Sequence, residues 1–302
     1  SEDLIYLLRR NSVTGAFLIL DGDREDIKSG LYFRDQEPAY SSVDNSDLLA
    51  ERGPAEVIRS QGIPMDSLWY PTFTFGEDGE DEEAGSYFYG PFLAAQEQGS
   101  DNYKDFGYWY GPFYLNQDTA SDSYPILTYS VPITDDEGKA YAVLGVEMST
   151  TYLKSTMIQS ELSNIGQGGY LLAASYQSQE QEDGSLNCSI VMQDGSYLRS
   201  ILGDSKELSL KKVEGQTNVY TLDCENSMNQ TVYANVQTLT LYDSNTPFVK
   251  DRWMIIGIVS KGELLGFASR FQQLMLMGSL VTFTIGILGI VVVSRKISKP
   301  MF

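Results

Sequence analysis

Ile126-Leu127-Thr128-Tyr129-Ser130-Val131-Pro132-Ile133-Thr134-Asp135-Asp136-Glu137-Gly138-Lys139-Ala140-Tyr141-Ala142-Val143-Leu144-Gly145-Val146-Glu147-Met148 reads as two adjacent antiparallel strands joined by a turn. Aliphatic, β-branched and aromatic residues fill both arms, and the acidic run ending in Gly138 supplies the turn chemistry. Period-two alternation places Thr128 and Ser130 on one face of the first strand, and Val143, Gly145 and Glu147 on one face of the second. Glu147 is therefore a carboxylate set into an otherwise apolar strand. A helix is predicted to leave the sheet from Ser149 to about Leu162, and Gly166 to Gly169 opens a second module.

Toward the N-terminus, Gly15 to Asp21 and Gly30 to Arg34 read as a strand pair, preceded by an amphipathic helix from Ser1 to Arg10. That helix looks like a middle rather than a beginning, so a fragment whose first transmembrane helix is left out is expected. Residues 36–62, rich in turn formers, predict an excursion with a helix around Ser46 to Arg52. The acidic run from Gly76 to Gly85 predicts a solvated loop, and its spacing fits no EF-hand calcium site. An internal echo follows: Tyr87-Phe88-Tyr89-Gly90-Pro91-Phe92 returns as Tyr108-Trp109-Tyr110-Gly111-Pro112-Phe113. Each Gly-Pro is expected to make a rigid turn that aims aromatic rings into a core or a cleft.

Toward the C-terminus, strands are predicted at Gly169 to Ser175, Ile190 to Arg199, Asn218 to Cys224, Thr231 to Tyr242 and Trp253 to Ser260. The uncharged run from Leu274 to Val293 then spans about 30 Å as a helix, the thickness of a bilayer core. Arg295, Lys296 and Lys299 crowd its exit, so the positive-inside rule puts residues 1–270 outside the cell membrane. No proline separates this run from Gly262 to Ala268, which predicts a nearly continuous helix.

Composition narrows the chemistry. A net charge of -20 argues against nucleic acid as a partner, and 12% aromatic content excludes a disordered acidic tail. Without any histidine the chain lacks the usual general base and the commonest metal ligand, so no catalytic residue and no metal site is proposed. Cys188 and Cys224 are the only cysteines, compatible with a disulfide or with two buried thiols.

With Trp109-Tyr110, Tyr124-Pro125, the strand pair of residues 126–153 and the exit Ser294-Arg295-Lys296-Ile297-Ser298-Lys299-Pro300, the chain resembles the double Cache family of bacterial extracytoplasmic sensors. The resemblance implies an α+β fold: two PAS-like antiparallel-sheet modules with a long N-terminal helix, and one C-terminal transmembrane helix. The expected division is a membrane-distal ligand-binding module at 1–153 and a proximal one at 154–268. A transmembrane helix at 269–293 and the beginning of a HAMP-like linker at 294–302 complete it. The implied function is signal transduction by a non-enzymatic, cofactor-free receptor fragment that works as a homodimer and passes ligand binding to a cytoplasmic output domain.

Amino-acid-binding members of that family place an Arg shortly before a Trp-Tyr pair and an Asp at the end of the last strand. Here Gly107 and Glu147 occupy those positions. An amine-like or uncharged polar ligand is therefore expected, held by Trp69, Tyr89, Trp109, Tyr110, Tyr124, Thr128 and Glu147 through cation–π faces, hydroxyls and a carboxylate. Two other readings are a membrane-anchored carboxylate-dependent hydrolase and a surface interaction protein, the latter favoured by joint exposure of Phe92, Trp109 and Phe113.

Overall fold

The computed structural model describes all residues except 23, 25, 39, 41, 76–81, 99–102, 116–123, 157–165, 177–184, 223–230 and 299–302. Helix α1 (Glu2–Asn11) carries acids in its first turn and arginines in its last, which complements the helix dipole. Leu4, Ile5 and Leu8 recur at helical spacing and are buried against the first sheet. Arg9 anchors the helix by gripping both Asp47 oxygens at 2.7 and 2.9 Å.

Strands β1 (Gly15–Leu20), β2 (Ile27–Asp35), β6 (Tyr108–Phe113), β7 (Ile126–Thr134) and β8 (Ala140–Ser149) form an antiparallel core in the order β2-β1-β8-β7-β6. Beyond β2 the sheet is extended by β3 (Leu48–Arg52) and, parallel to it, β4 (Met65–Tyr70). The short β5 (Phe73–Thr74) pairs with the start of β2. Alternation sorts the side chains. Ala16, Phe33, Leu144 and Val146 face α1 and helix α2 (Ala55–Ser60), whereas Phe17, Ile19, Tyr32 and Val143 face helix α3 (Glu82–Gln98). This is a PAS-like sheet with helices on both faces.

Helix α4 (Thr150–Thr156) leads from β8 toward the second sheet, and residues 157–162 of the helix expected there lie outside the described residues. In the second module, β9 (Gly168–Ser175), β10 (Leu186–Asp194), β12 (Val219–Leu222), β13 (Val232–Leu239) and β14 (Arg252–Ser260) repeat the order of the first core. A further strand, β11 (Glu207–Lys212), bridges β10 and β12 and closes a six-stranded barrel around Leu171, Ala173, Leu198, Leu210, Ile256 and Ile258. Cys188 is a buried thiol of this core, pushed up to about 12 by burial, and Cys224 lies outside the described residues.

Four local expectations are corrected. Ser46 to Arg52 is not helical: a 3-10 turn at Asn45–Asp47 leads into β3, because Leu48 and Ala50 alternate into the core beside Phe33, and the helix waits until after Pro54. The first aromatic echo is not a turn but lies inside α3, where Phe88 and Phe92 are one helical turn apart and pack on the core despite Pro91. The strand expected to reach Arg199 ends at Asp194. Gly195, at φ +118°, breaks it, and Tyr197, Leu198 and Ile201 bury themselves from helix α5 (Ser196–Leu202). The acidic run is helical from Glu82, and residues 76–81 lie outside the described residues.

Helix α6 (Lys261–Ser298) follows β14 without a break and is the one helix among the described residues long and apolar enough to cross a membrane. Its joint with the barrel is tied down: Ser260 N–H donates to the Gln167 carbonyl at 3.0 Å and Lys261 N–H to the Thr231 carbonyl at 2.9 Å. Ser260 Oγ also accepts from Glu263 N–H at 3.2 Å.

Candidate functional site

One row of residues runs straight across the first sheet: Arg34 on β2, Gly15 on β1, Glu147 on β8, Thr128 on β7 and Tyr110 on β6. Directly paired residues share a face, and this is the face under α3. Gly15 has no side chain, so Arg34 and Glu147 meet across it, with Nε 3.1 Å from Oε2. The remaining bonds of Glu147 come from the Tyr32 hydroxyl, which donates to Oε2, and from Thr14 Oγ1, which donates to Oε1 at 3.1 Å.

Arg34 serves a second acid, because its Nη1 donates to Glu51 Oε1 at 2.9 Å. Glu51 reaches this face through a β-bulge. Tyr32 pairs with Arg52 while Phe33 pairs with Ala50, so one extra residue stands in β3, and Glu51 contacts the same guanidinium that Glu147 holds. The neighbouring Arg52 donates to the Glu51 carbonyl at 3.0 Å and lies over the Tyr70 ring at 4.6 Å. Tyr124 covers Arg34, its ring centroid 4.9 Å from the guanidinium carbon.

Burial dominates the electrostatics. Glu147 is wholly excluded from solvent, and desolvation pushes its carboxyl up to about 8 while the Thr14 hydroxyl pulls the other way. The Arg34 counter-charge also favours ionisation, but burial is the larger effect. Glu147 thus holds its proton more tightly in the fold than in a free chain. Desolvation likewise raises Glu51, with nearby Asp66 adding to the rise and Arg34 opposing it, and it lowers Arg52. Glu51, Asp66 and Glu147 thus outnumber Arg34 and Arg52 by one acid in this neighbourhood.

The expected site residues separate into three places. Glu147 and Tyr124 contact Arg34, while Thr128 and Tyr110 continue the row on the far side of Glu147, with Thr128 Oγ1 3.5 Å from the Tyr110 carbonyl. Tyr89 stands on the same side of the sheet but on α3, packed edge-on against Phe75 and Phe88. Trp69 packs with the α1-side cluster, and Trp109, one residue out of phase with Tyr110, packs against Tyr129 and Trp253 between the modules. Phe92 is buried and Trp109 and Phe113 are partly buried, so these three do not form an exposed aromatic patch.

Residues that the sequence reading passed over are Arg34, Glu51, Arg52, Tyr32 and Thr14. Arg34 carried the same signal as Glu147, a charge within an apolar strand. Nothing in the sequence announces the bulge that adds Glu51. Gly107 is also explained: a side chain there would run into the Tyr129 hydroxyl, so this backbone has no room for an arginine at that point.

No protein-family model and no curated protein matches the chain. Among solved structures it is similar to the periplasmic sensory domain of the Campylobacter jejuni chemoreceptor Tlp1, at 10% identity and a TM-score of 0.44, covering 87% of this chain and 78% of that one. It is also similar to the ligand-binding domain of Campylobacter jejuni Tlp3 in complex with L-norvaline, at 13% identity and a TM-score of 0.38, covering 86% and 69%. A third is the ligand-binding domain of the Pseudomonas aeruginosa amino acid chemoreceptor PctC in complex with GABA, at 12% identity and a TM-score of 0.37, covering 83% and 75%.

Proposed function

We propose that this chain is the extracytoplasmic small-molecule-sensing part of a transmembrane receptor of the Cache type, with residues 1–153 as the ligand-binding module, 154–268 as the membrane-proximal module and α6 as the crossing. The observation that carries the reading is the Glu147–Arg34–Glu51 chain, three buried ionisable groups on a sheet face otherwise walled by aromatic rings. Desolvated charges of this kind are costly, and in a module that needs no catalysis they suit recognition of a charged or strongly polar solute.

An amine-like ligand fits the balance best. Its ammonium takes the place of the proton that Glu147 carries, against Glu147 and Thr128, with Tyr110 and Tyr124 offering ring faces worth about 0.5–2 kcal/mol each. Binding then competes with Arg34 for Glu147 and shifts the β2–β1–β8 row, and only the difference in affinity between two arrangements moves α6. The receptor is read as a homodimer with its output domain in the cytosol. The test is a melting-temperature screen of the full chain in nanodiscs against amines, amino acids and uncharged polar solutes. A saturating rise following RT ln(1 + [L]/Kd) is expected for an amine and is abolished by Glu147→Gln. A response to none of these classes would overturn the sensor reading, and an amine response that survives Glu147→Gln would overturn the role of Glu147.

A further inference from the structure

The strand β6 is the edge of the first sheet, where backbone groups would ordinarily face water or another chain. Here two tyrosines of the second module cover them. The Tyr242 hydroxyl accepts from Trp109 N–H at 3.0 Å and reaches the Trp109 carbonyl at 3.5 Å. Two residues along, the Tyr176 hydroxyl donates to the Gly111 carbonyl at 2.6 Å and accepts from Gly111 N–H at 3.2 Å. Each hydroxyl thus closes both polar groups of one edge residue. The two bonded residues flank Tyr110, whose ring lies 5.9 Å from the Tyr176 ring and whose strand position pairs with Thr128. Burial raises the pKa of both phenols, so they stay protonated and keep donating.

On the barrel side the two tyrosines bracket one strand. Tyr176 directly follows β9 and Tyr242 lies just after β13, and β9 and β13 are the two neighbours of β14. Trp253 of β14 pairs with Leu239 on one side and Ala174 on the other, and its ring packs against both Trp109 and Tyr176. From Trp253 the strand runs about 23 Å, at roughly 3.3 Å per residue, to Ser260, where α6 begins.

We propose that Tyr176 and Tyr242 form a two-point clamp on β6 through which a rearrangement of the buried charge row is passed to β14 and so to α6. The role as a signal relay rests on the sensor reading, while the mechanical coupling itself does not. A paired strand moves as a unit, because sliding it by one residue would reverse every side chain, so β6 carries a shift of β7 and β8 to its edge. There, four hydrogen bonds between two hydroxyls and two backbone sites fix translation and tilt together, which ring packing alone does not.

Hydrogen exchange read by mass spectrometry on the full chain in nanodiscs tests this without any ligand. Glu147→Gln perturbs the row, and in the otherwise wild-type chain it is expected to change amide exchange across residues 253–260 by about threefold or more. With Tyr176→Phe and Tyr242→Phe added, which keep the rings and remove the hydroxyls, that change should vanish while β7 and β8 still respond. If the double replacement does not fold, each single replacement should reduce the change. An undiminished change in the clamp variants, as when the Lys154–Asp194 ion pair between α4 and β10 carries the coupling instead, overturns the proposal. So does the absence of any change at 253–260 in the otherwise wild-type chain. A ligand screen that finds nothing would overturn the sensor reading and leave this result standing.

Discussion

Arg34 and Glu147 lie on strands that do not pair with each other, and they meet because Gly15 separates them on β1 with no side chain of its own. A Cβ at position 15 would stand 3.1 Å from Glu147 Oε2 and 3.1 Å from the Phe33 carbonyl. The Arg34–Glu147 contact is thus written into the sheet register.

Gly15→Ala should therefore destabilise the chain by about 1–3 kcal/mol, the usual cost of forcing atoms into a packed site. Denaturant midpoints at constant m-value check it, and a variant as stable as wild type would show that the row tolerates a wider spacing.

Removing the guidanium charge should cost more than removing the carboxylate charge. Arg34→Met leaves Glu51 and Glu147 buried together without their shared partner, for which about 3–5 kcal/mol is expected. Glu147→Gln keeps a hydrogen-bonding group of the same shape and should cost less. A double-mutant cycle with Arg34→Met/Glu147→Met measures the coupling, and additive losses would contradict a shared cluster.

The pH dependence of stability has a definite sign. The Glu147 carboxyl is raised from 4.5 to about 8 by burial, so between those values the native state keeps a proton that the unfolded chain has released. This group's contribution is present below the unfolded value and is lost as pH rises toward 8. Wild-type melting temperature should fall across that window more steeply than that of Glu147→Gln, and parallel curves would remove Glu147 as the cause. Amine binding, if it replaces the same proton, should tighten as pH rises toward 8.

Asp47 acts in the opposite sense. Its bonds from Arg9 hold the carboxyl at about 2, below the ordinary 3.8, so the tie between α1 and the 3-10 turn that leads into β3 is intact above 3.8 and is lost as pH falls through about 2. Arg9→Met should abolish this acid-side loss, as followed by circular dichroism. An unchanged acid transition would place the loss elsewhere.

Trp109 and Tyr110 should separate cleanly. Tyr110→Ala should weaken ligand binding by roughly the 0.5–2 kcal/mol of a ring face, whereas Trp109→Ala should leave the ligand Kd unchanged and lower stability, since its ring packs on Tyr129 and Trp253. Titration calorimetry beside thermal denaturation tells the two apart.

Much of the architecture was legible because hydrophobic period and turn chemistry are local. The β7–β8 hairpin, the alternation within each of its strands and the continuity of α6 follow from spacing alone, whereas the pairing of Thr128 with Glu147 is a matter of register. Leu48 and Ala50 were misread because burial against Phe33 overrode a helical cue, and the first Gly-Pro was misread because core packing of Phe88 and Phe92 outweighs one interior proline.

By itself the sequence determined that a lone carboxylate would sit on one face of a strand beside aromatic residues, since alternation is a property of the strand and needs no partner. Only the tertiary structure decided what that carboxylate meets. Register across β1, β2 and β8 and one extra residue in β3 bring together Arg34, Glu51 and Glu147 from positions far apart in the chain, and the field each feels depends on burial, which no local pattern encodes.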